Sequence, residues 1–446
     1  MPPKSYYHEG GETFLQSLFT HFSYFAFDKA KEQADRERDV SKNQCSPVWT
    51  TLLSCVSQLA IVEKLYMNLL FLTPKGFLRK ESSVRLSYET ILTELVEIEK
   101  RRGTTSNTSH ASNAPSNVTV ESEKTEKGCS EGVLLHLSSH LILFIQARLL
   151  MLSFYEKLIL WSSNKYVNYD DALQYIDEII KKNSSSFHHP ILAPIKTTFT
   201  CESEINSHLL GSLKAMQELQ FLPALLHLHD AQSKLLSWQT IIQNKESKKY
   251  NFLKSPSLPA LYQWLWRAKA SFVSKFSLYF YEVLSGQASA SETKNLLTKL
   301  TCDYVSKIQS FQRKIDAQSV CIVLKASPHC NMRSPGYNFP SDEHAQINLD
   351  HYLTIFSYPV KPLSVWPCIL MQLSNMTTEE LYDKVISHYD VKVGITLFFC
   401  QIEPNIFLVV TFENKKPEKE NFVKEFLLDI AVQLSCNKVF AALKPN

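Results

Sequence analysis

The chain has 446 residues, of which 44% are hydrophobic, so it is long enough to bury the cores of two or three domains. Its 47 basic and 44 acidic side chains give a net charge of +3, too small to favour a protein that wraps nucleic acid. Only 10 glycines are present, and neither a GxxxxGK[ST] nor a GxGxxG loop occurs, so we expect no nucleotide cofactor.

Apolar residues recur at helical spacing through the first two thirds of the chain. The first predicted helices cover residues 13–40, 48–72 and 83–102, and Ser46 with Pro47 forms a typical start for the second. That helix has a charge-free run of about 15 residues, shorter than the roughly 20 that cross a bilayer, so we expect no transmembrane segment. Because no basic stretch followed by an apolar one begins the chain, we expect a cytoplasmic protein without a secretory signal.

The composition changes between residues 103 and 132, where small polar residues replace bulky apolar ones. Such a stretch cannot bury enough surface to order itself, so we predict a disordered insert at 103–132. The surrounding helical domain spans about residues 1–315. Its remaining predicted helices lie at 133–161, 169–182, 198–220, 222–244, 257–284 and 291–313.

The helix predicted at 257–284 carries the longest apolar and aromatic stretch, and we expect the other helices to pack around it. Large apolar residues such as Leu265 recur along one of its faces, while Trp264 lies off that face and close to Arg267. Trp and Arg are enriched at the centres of protein interfaces, so Trp264, Arg267 and Lys275 are candidate interface residues. The alternative is that Trp264 belongs to the core, as aromatic residues on so apolar a helix commonly do.

After residue 314 the apolar period shortens to the alternation that is typical of strands. The predicted elements are strands at 319–326, 352–358 and 365–373, a helix at 377–389, paired strands at 393–404 and 405–413, and a helix at 418–434. A long exposed loop is predicted at 327–348. The expected fold class is α+β: a large all-α domain followed, at 316–446, by a roadblock-, longin- or profilin-like α/β domain with an antiparallel sheet.

A few histidines and serines come closest to chemical motifs. His188 and His189 are adjacent, and His227 and Asp230 have the i,i+3 spacing of helical metal ligands. Because a metal site needs three or four ligands, hydrogen-bonded histidines are the simpler interpretation. The SETK sequence at 291–294 matches an SxxK motif but lies at a helix start, where serine is a typical N-cap. We predict no catalytic residue, no cofactor and no metal ligand.

Several stretches, taken in their order and spacing, are similar to one known family. They are FSYFAFDKAK at 22–31, FIQAR at 144–148, FHHPIL at 187–192, FLPALLHLH at 221–229, AKASFVSKFSLYFYE at 268–282 and KVFAALKP at 438–445. Together they resemble the KICSTOR subunit 2 family, formerly a family of unknown function, along essentially the whole chain. Departures from the family fall mainly in 103–132 and 327–348.

The resemblance implies a non-catalytic subunit of the KICSTOR complex, with kaptin, an FG-GAP-repeat protein and a very large seizure-threshold protein as partners. In that family the complex lies on the lysosomal membrane surface and recruits the GATOR GTPase-activating complex, which restrains mTOR signalling during amino-acid or glucose starvation. A cytoplasmic protein that is peripheral on the lysosomal membrane is therefore expected. Two other classes stay open: a small-GTPase-binding or membrane-tethering module built on residues 316–446, and an enzyme, which would require a concave cluster of titratable groups.

Overall fold

Helices dominate the first 315 residues, as the sequence predicts. The computed structural model of the protein describes residues 10–42, 46–73, 83–107, 121–164, 166–243, 258–325, 352–376, 384–415 and 420–444. The helices of this region are α1 (Gly10–Ser23), α2 (Phe27–Ser41), α3 (Pro47–Met67), α4 (Val84–Asn107), α5 (Glu121–Ser162), α6 (Tyr169–Asn183), α7 (Ala193–Gln217), α8 (Phe221–Gln243), α9 (Ala260–Tyr279), α10 (Tyr281–Gly286), α11 (Ala290–Leu297) and α12 (Tyr304–Ile315).

The helix predicted at 13–40 is interrupted. Phe25 lies between α1 and α2 with a φ of 57°, a left-handed conformation that bulky residues rarely adopt and that ends a helix. The centroid of its ring lies 5.6 Å from that of Trp238 on α8 and 6.2 Å from that of Tyr262 on α9. We attribute the break to this packing, which the spacing of apolar residues along the chain does not reveal.

The helix predicted at 291–313 consists of α11 and α12. The N-cap of α11 is Ser289: its hydroxyl accepts the backbone N–H of Glu292, and the Glu292 carboxylate accepts the backbone N–H of Ser289. This capping box confirms that the SETK stretch at 291–294 lies at a helix start. The N-cap is Ser289, two residues before the serine of that stretch. At the start of α12 the Asp303 carboxylate accepts a hydrogen bond from the backbone N–H of Ser306. This second N-cap explains why the helix predicted at 291–313 is divided into α11 and α12.

The C-terminal part contains a five-stranded antiparallel sheet, which confirms the α+β fold class. Along the sheet the strand order is β2-β1-β5-β4-β3, and Asn405, with a φ of 69°, lies in the turn that joins β4 to β5. The strands and their accompanying helices are β1 (Ser319–Lys325), β2 (Tyr352–Tyr358), α13 (Trp366–Asn375), β3 (Val385–Asp390), β4 (Ile395–Glu403), β5 (Ile406–Glu413), α14 (Glu420–Leu434) and α15 (Asn437–Ala441).

Two of the predictions for this part were wrong. Residues 365–373, predicted as a strand, lie almost entirely in α13, whose first turn contains Pro367, a position where a missing N–H costs no helical hydrogen bond. A short apolar run does not distinguish a buried strand from a buried helix. In the helix predicted at 377–389, residues 385–389 instead belong to the edge strand β3, because they pair with β4. Residues 377–383 lie outside the described part of the chain.

Two further predicted segments fall partly or wholly outside the described residues. Both ends of the insert predicted at 103–132 are helical, because α4 extends to Asn107 and α5 begins at Glu121. Glu and Lys, which have good helix propensity, make up most of residues 121–127 and account for the earlier helix start. Residues 108–120 and the loop predicted at 327–348 lie outside the described residues.

Each face of the sheet is covered by helices. Alternate residues of β1, such as Val320 and Ile322, face a continuous core that includes residues of α9, α14 and the other long helices. The intervening residues, such as Cys321 and Val323, pack against α13 in a second cluster. The helical region and one face of the sheet therefore share one core, with α13 as a separate outer layer.

Candidate functional site

An ion pair joins the helical region to the sheet at the centre of this shared core. Lys275 of α9 is 1% exposed and Glu403, the last residue of β4, is 2% exposed. The Lys275 Nζ donates to Glu403 Oε1 at 2.6 Å, and the Tyr279 hydroxyl donates to the other carboxylate oxygen at 3.1 Å. Lys275 and Tyr279 are four residues apart on α9, so one helix face presents both donors to the end of β4.

The environment of this pair keeps the neighbouring phenols protonated. Burial, and then the negative charge of Glu403, raises the pKa of Tyr279 well above its usual range. The same two causes raise the pKa of Tyr169, at the start of α6. Tyr279 therefore stays protonated and donates a hydrogen bond to Glu403.

A second contact across the same junction comes from Trp264. Its side chain is 2% exposed, and its indole N–H donates to the backbone carbonyl of Val439 in α15 at 2.8 Å. Trp264 and Lys275, two of the three interface candidates, thus hold the chain's own elements together and are not available to a partner. Arg267 is exposed on α9, and its part in an interface stays a prediction. Sequence spacing showed that Trp264 lies off the main apolar face, but not that α15 covers Trp264 or that β4 contacts Lys275.

A larger buried ionic network joins four long helices, α3, α4, α5 and α7, and sequence analysis did not find it. Arg148 of α5 donates through Nε and Nη2 to both carboxylate oxygens of Glu63 on α3, at 2.9 and 3.0 Å, and through Nη1 to Glu202 on α7. Tyr88 donates to Glu63 at 2.7 Å, and Tyr155 donates to Glu202 at 3.0 Å. All five side chains are buried. Bidentate pairing and added phenol donors are what a buried charge group needs to be stable.

Burial and the charge of the ionic partner oppose each other in setting the pKa of Glu63 and that of Arg148. Burial raises the pKa of Glu63, although the Arg148 guanidinium opposes the rise. Burial lowers the pKa of Arg148, but Glu63 and Glu202 outweigh it, so the pKa of Arg148 is well above its usual range. The guanidinium therefore keeps its charge, and its loss would leave two carboxylates without their cation.

Among the residues that the structure describes, two helices are long and apolar enough to cross a membrane by length and composition: Pro47–Met67 and Gly132–Ser162. In the structure, 61% of the first apolar window and 44% of the second are buried inside the chain. The ion pair of Glu63 with Arg148 links these same two helices, and the charged groups are enclosed by protein. Packing of their buried faces in the core accounts for much of their apolar character.

Two of the histidines singled out in the sequence, His189 and His227, contact other histidines, whereas His188 accepts a hydrogen bond from Lys196. His189 lies beside His136 and His140 of α5, and His227 of α8 faces His208 of α7 with their Nδ1 atoms 3.2 Å apart. Within the described residues, no three His, Cys, Asp or Glu side chains are grouped so that they could hold a metal ion. The i,i+3 spacing of His227 and Asp230 is therefore not part of a metal-binding group among the described residues, and His227 instead contacts His208 on the neighbouring helix.

A groove of about 540 Å³ runs along α1 and α2. Its charged lining includes Lys29 and Glu32, and Glu32 pairs with Arg36 one turn along the same helix. Arg36 and Glu32 are 77% and 60% exposed, as expected of a solvated helix face. These side chains are not desolvated as catalytic acids and bases usually are.

These features define an α+β protein in which long helices and an antiparallel sheet share one core, with the buried charges of that core paired across elements. The chain belongs to the family described as KICSTOR complex C12orf66 like, whose model matches residues 9–446. It is 34% identical over 458 residues to KICSTOR subunit 2 of Xenopus laevis, covering 100% of this chain and 99% of that protein. It is 35% identical over 445 residues to KICSTOR subunit 2 of Danio rerio, covering 97% and 95%. The family predicted from the sequence is confirmed.

Proposed function

We propose that this protein is a non-catalytic scaffold subunit of a KICSTOR complex. In this role it helps to recruit the GATOR GTPase-activating complex to the lysosomal surface and so restrains mTOR signalling when amino acids or glucose are scarce. The observation that carries the proposal is similarity along the whole chain to two vertebrate proteins named KICSTOR subunit 2. Kaptin, the FG-GAP-repeat protein and the very large seizure-threshold protein are the proposed partners.

The interior of the molecule is consistent with a structural role. The buried cations of Lys275 and Arg148 are each paired with carboxylates of the same chain, and those carboxylates also accept hydrogen bonds from buried phenols. Burial also raises the pKa of the thiol of Cys55 and, to about 11, that of Cys436, so both stay protonated at neutral pH and are poor nucleophiles. A protein of this kind acts through the shape and charge of its surface.

Arg267 is the sequence-predicted candidate that this surface retains. It is exposed on α9 beside Trp266, whose ring centroid lies 5.9 Å from the Nζ of Lys269. An exposed Arg next to an aromatic ring and a second cation suits an acidic patch on a partner. We therefore place one partner contact at Arg267.

The test is co-purification from cells that lack their own copy of the subunit. Wild-type chain, Arg267→Glu and Lys299→Glu are expressed with the same tag; Lys299 is an exposed cation of another segment and is the matched control. We expect wild type and Lys299→Glu to recover kaptin, the FG-GAP-repeat protein and the large partner, and to restore the fall in mTOR substrate phosphorylation on amino-acid starvation. If the wild-type chain recovers none of these proteins, the proposal fails; if Arg267→Glu recovers them as well as wild type does, only the assignment of Arg267 fails.

The competing proposal is a small-GTPase-binding or membrane-tethering module in residues 316–446. It is favoured by one feature: Leu363 and Met371, on the outer side of the sheet, are 65% and 50% exposed. Because the opposite face of the sheet packs against α9, the isolated segment would expose a core surface, and the test must use the full chain. Nucleotide-dependent binding of a Rag-type GTPase that Met371→Lys abolishes, without loss of the KICSTOR partners, would favour this alternative.

A further inference from the structure

Four histidines from two elements meet where α6 connects to α7. His136 and His140 lie one turn apart on α5, with their Nε2 atoms 3.0 Å from each other. The ring of His189, from the connection, has its centroid 5.3 Å from that of His136 and 6.1 Å from that of His140. His188 immediately precedes His189 in the chain, and its proximity lowers the pKa of His140. We name these four residues the histidine clasp.

Each hydrogen bond of the clasp needs an unprotonated imidazole nitrogen. The backbone N–H of Ile191 donates to His189 Nδ1 at 3.3 Å, and the Lys196 ammonium donates to His188 Nδ1 at 2.8 Å. In the pair of His136 and His140, one Nε2 must donate and the other accept. An imidazolium carries hydrogen on both nitrogens and accepts no hydrogen bond, so each of these bonds is lost when its accepting ring is protonated.

The charges around the clasp oppose protonation. Burial, and then the proximity of His136, lowers the pKa of His140 and of His189. His188 and Lys196 also lower the pKa of His140, and His140 also lowers the pKa of His189. From α4, Glu99 is engaged by the hydroxyl of Ser139, next to His140. From α1, which packs against the connection, the titratable groups are Glu12 and His21. Among the described residues, no carboxylate contributes to the pKa shifts of His140 and His189.

The segment held by the clasp is the connection between Ser184 and Leu192. Lys196 also donates to the carbonyls of Ser184 and Ser186, at 3.3 and 3.0 Å, and so ties the end of α6 to α7. Within the segment Phe187 is buried with a φ of 41°, a left-handed conformation that costs a bulky residue free energy. A connection with a strained residue depends on its remaining hydrogen bonds to stay closed.

We infer that the histidine clasp makes the connection between α6 and α7 a proton-sensitive joint, closed at neutral pH and loosened at acidic pH, when its accepting nitrogens take up protons and His189 gains a positive charge beside His136, whose ring centroid lies 5.3 Å away. This property goes beyond the proposed scaffold role and does not depend on it. The folded-state pKa values of His140 and His189 are lowered, so the open form binds more protons. The clasp's contribution to stability is therefore complete above the ordinary histidine pKa of about 6.5, and is lost as the pH falls through the lower folded-state values.

The experiment is backbone hydrogen exchange of the full chain at pH 7.5 and pH 5.5, read by mass spectrometry and corrected for the intrinsic pH dependence of amide exchange. In the wild type we expect protection of peptides spanning residues 184–196 to fall about tenfold or more at pH 5.5, the size expected when a buried N–H loses its acceptor. Helix α9, which contains no histidine, serves as the internal reference.

The decisive variant combines His140→Gln, His188→Asn and His189→Asn. These amides place an oxygen near the imidazole nitrogen they replace and keep an acceptor there, but they do not take up a proton. We expect the pH response at 184–196 to shrink to less than about threefold in this variant, since the accepting atoms no longer titrate. The control is His229→Gln, which replaces a 71% exposed histidine on α8 and should leave the wild-type response unchanged.

A second measurement on the wild type needs no substitution. Exchange of the imidazole C2 hydrogen, followed across pH, gives the pKa of individual histidines, and we expect His140 and His189 to titrate below the ordinary histidine value of about 6.5. A pKa for His140 and His189 at or above about 6.5 would overturn the inference. So would a wild-type connection that keeps its protection at pH 5.5, or a triple variant that loses it as the wild type does.

Discussion

Replacing Lys275 with methionine is the sharpest test of the junction between the helical region and the sheet. The methionine chain fills much of the space of the lysine stem but removes the ammonium that lies 2.6 Å from Glu403. The carboxylate, 2% exposed, would keep the hydrogen bond from Tyr279 but lose its counter-ion. We expect Lys275→Met to lower the free energy of unfolding by about 3–5 kcal/mol, the cost of leaving one buried charge unpaired.

The magnitude follows from the separation of the two charges and from their burial. At 2.6 Å the attraction in a medium of effective dielectric constant 20 is of the order of 6 kcal/mol, and desolvation of both groups cancels part of it. Neutralising the acid as well should therefore restore stability. We expect the double variant Lys275→Met with Glu403→Gln to unfold closer to wild type than Lys275→Met alone, because the buried carboxylate is then absent.

The assay is urea unfolding followed by tryptophan fluorescence, with Lys307→Met as the matched control. Lys307 also joins α12 to α14 through Asp429 at 2.8 Å, but the two side chains are 33% and 47% exposed, so its loss should cost less than about 1 kcal/mol. The reasoning is refuted if Lys275→Met destabilises the protein no more than Lys307→Met does.

Two further predictions concern the packing of the helical region. Arg148→Met leaves two buried carboxylates without their cation and should lower the free energy of unfolding by at least about 3 kcal/mol in the same assay. The control is Arg85→Met, which breaks the ion pair with Glu156, whose two side chains are 37% and 46% exposed, and should cost under about 1 kcal/mol. Equal losses of stability in the two variants would contradict this account. Gly211→Ala would place a methyl group 2.9 Å from the His227 ring, between α7 and α8, and should lower the thermal midpoint through an overpacking cost of about 1–3 kcal/mol. Gly286→Ala, with nothing within 4 Å of the added carbon, is its control, and a midpoint for Gly211→Ala no lower than that of the control would count against the tight contact.

The two errors in the C-terminal part have different physical origins, and both lie in contacts made by the folded chain. The segment 365–373 is apolar on most sides, and such a run forms whichever element its surroundings cover. Here the sheet offers an apolar face made of residues such as Val323 and Val409, and the amphipathic helix α13 covers it with Ile369 and Leu373. The edge strand β3, in contrast, takes its conformation from pairing with β4.

The sequence by itself determined the fold class, the position of most helices and the family, because these depend on spacing and caps within a short window and on matches along the whole chain. What it left undetermined is which side chains meet. Lys275 and Glu403 lie 128 residues apart, and Arg148 lies 85 residues from Glu63, so no local pattern marks either pair. Only the packed tertiary structure removes these charges from water, and removal from water is what decides that Lys275 stabilises the chain's own core.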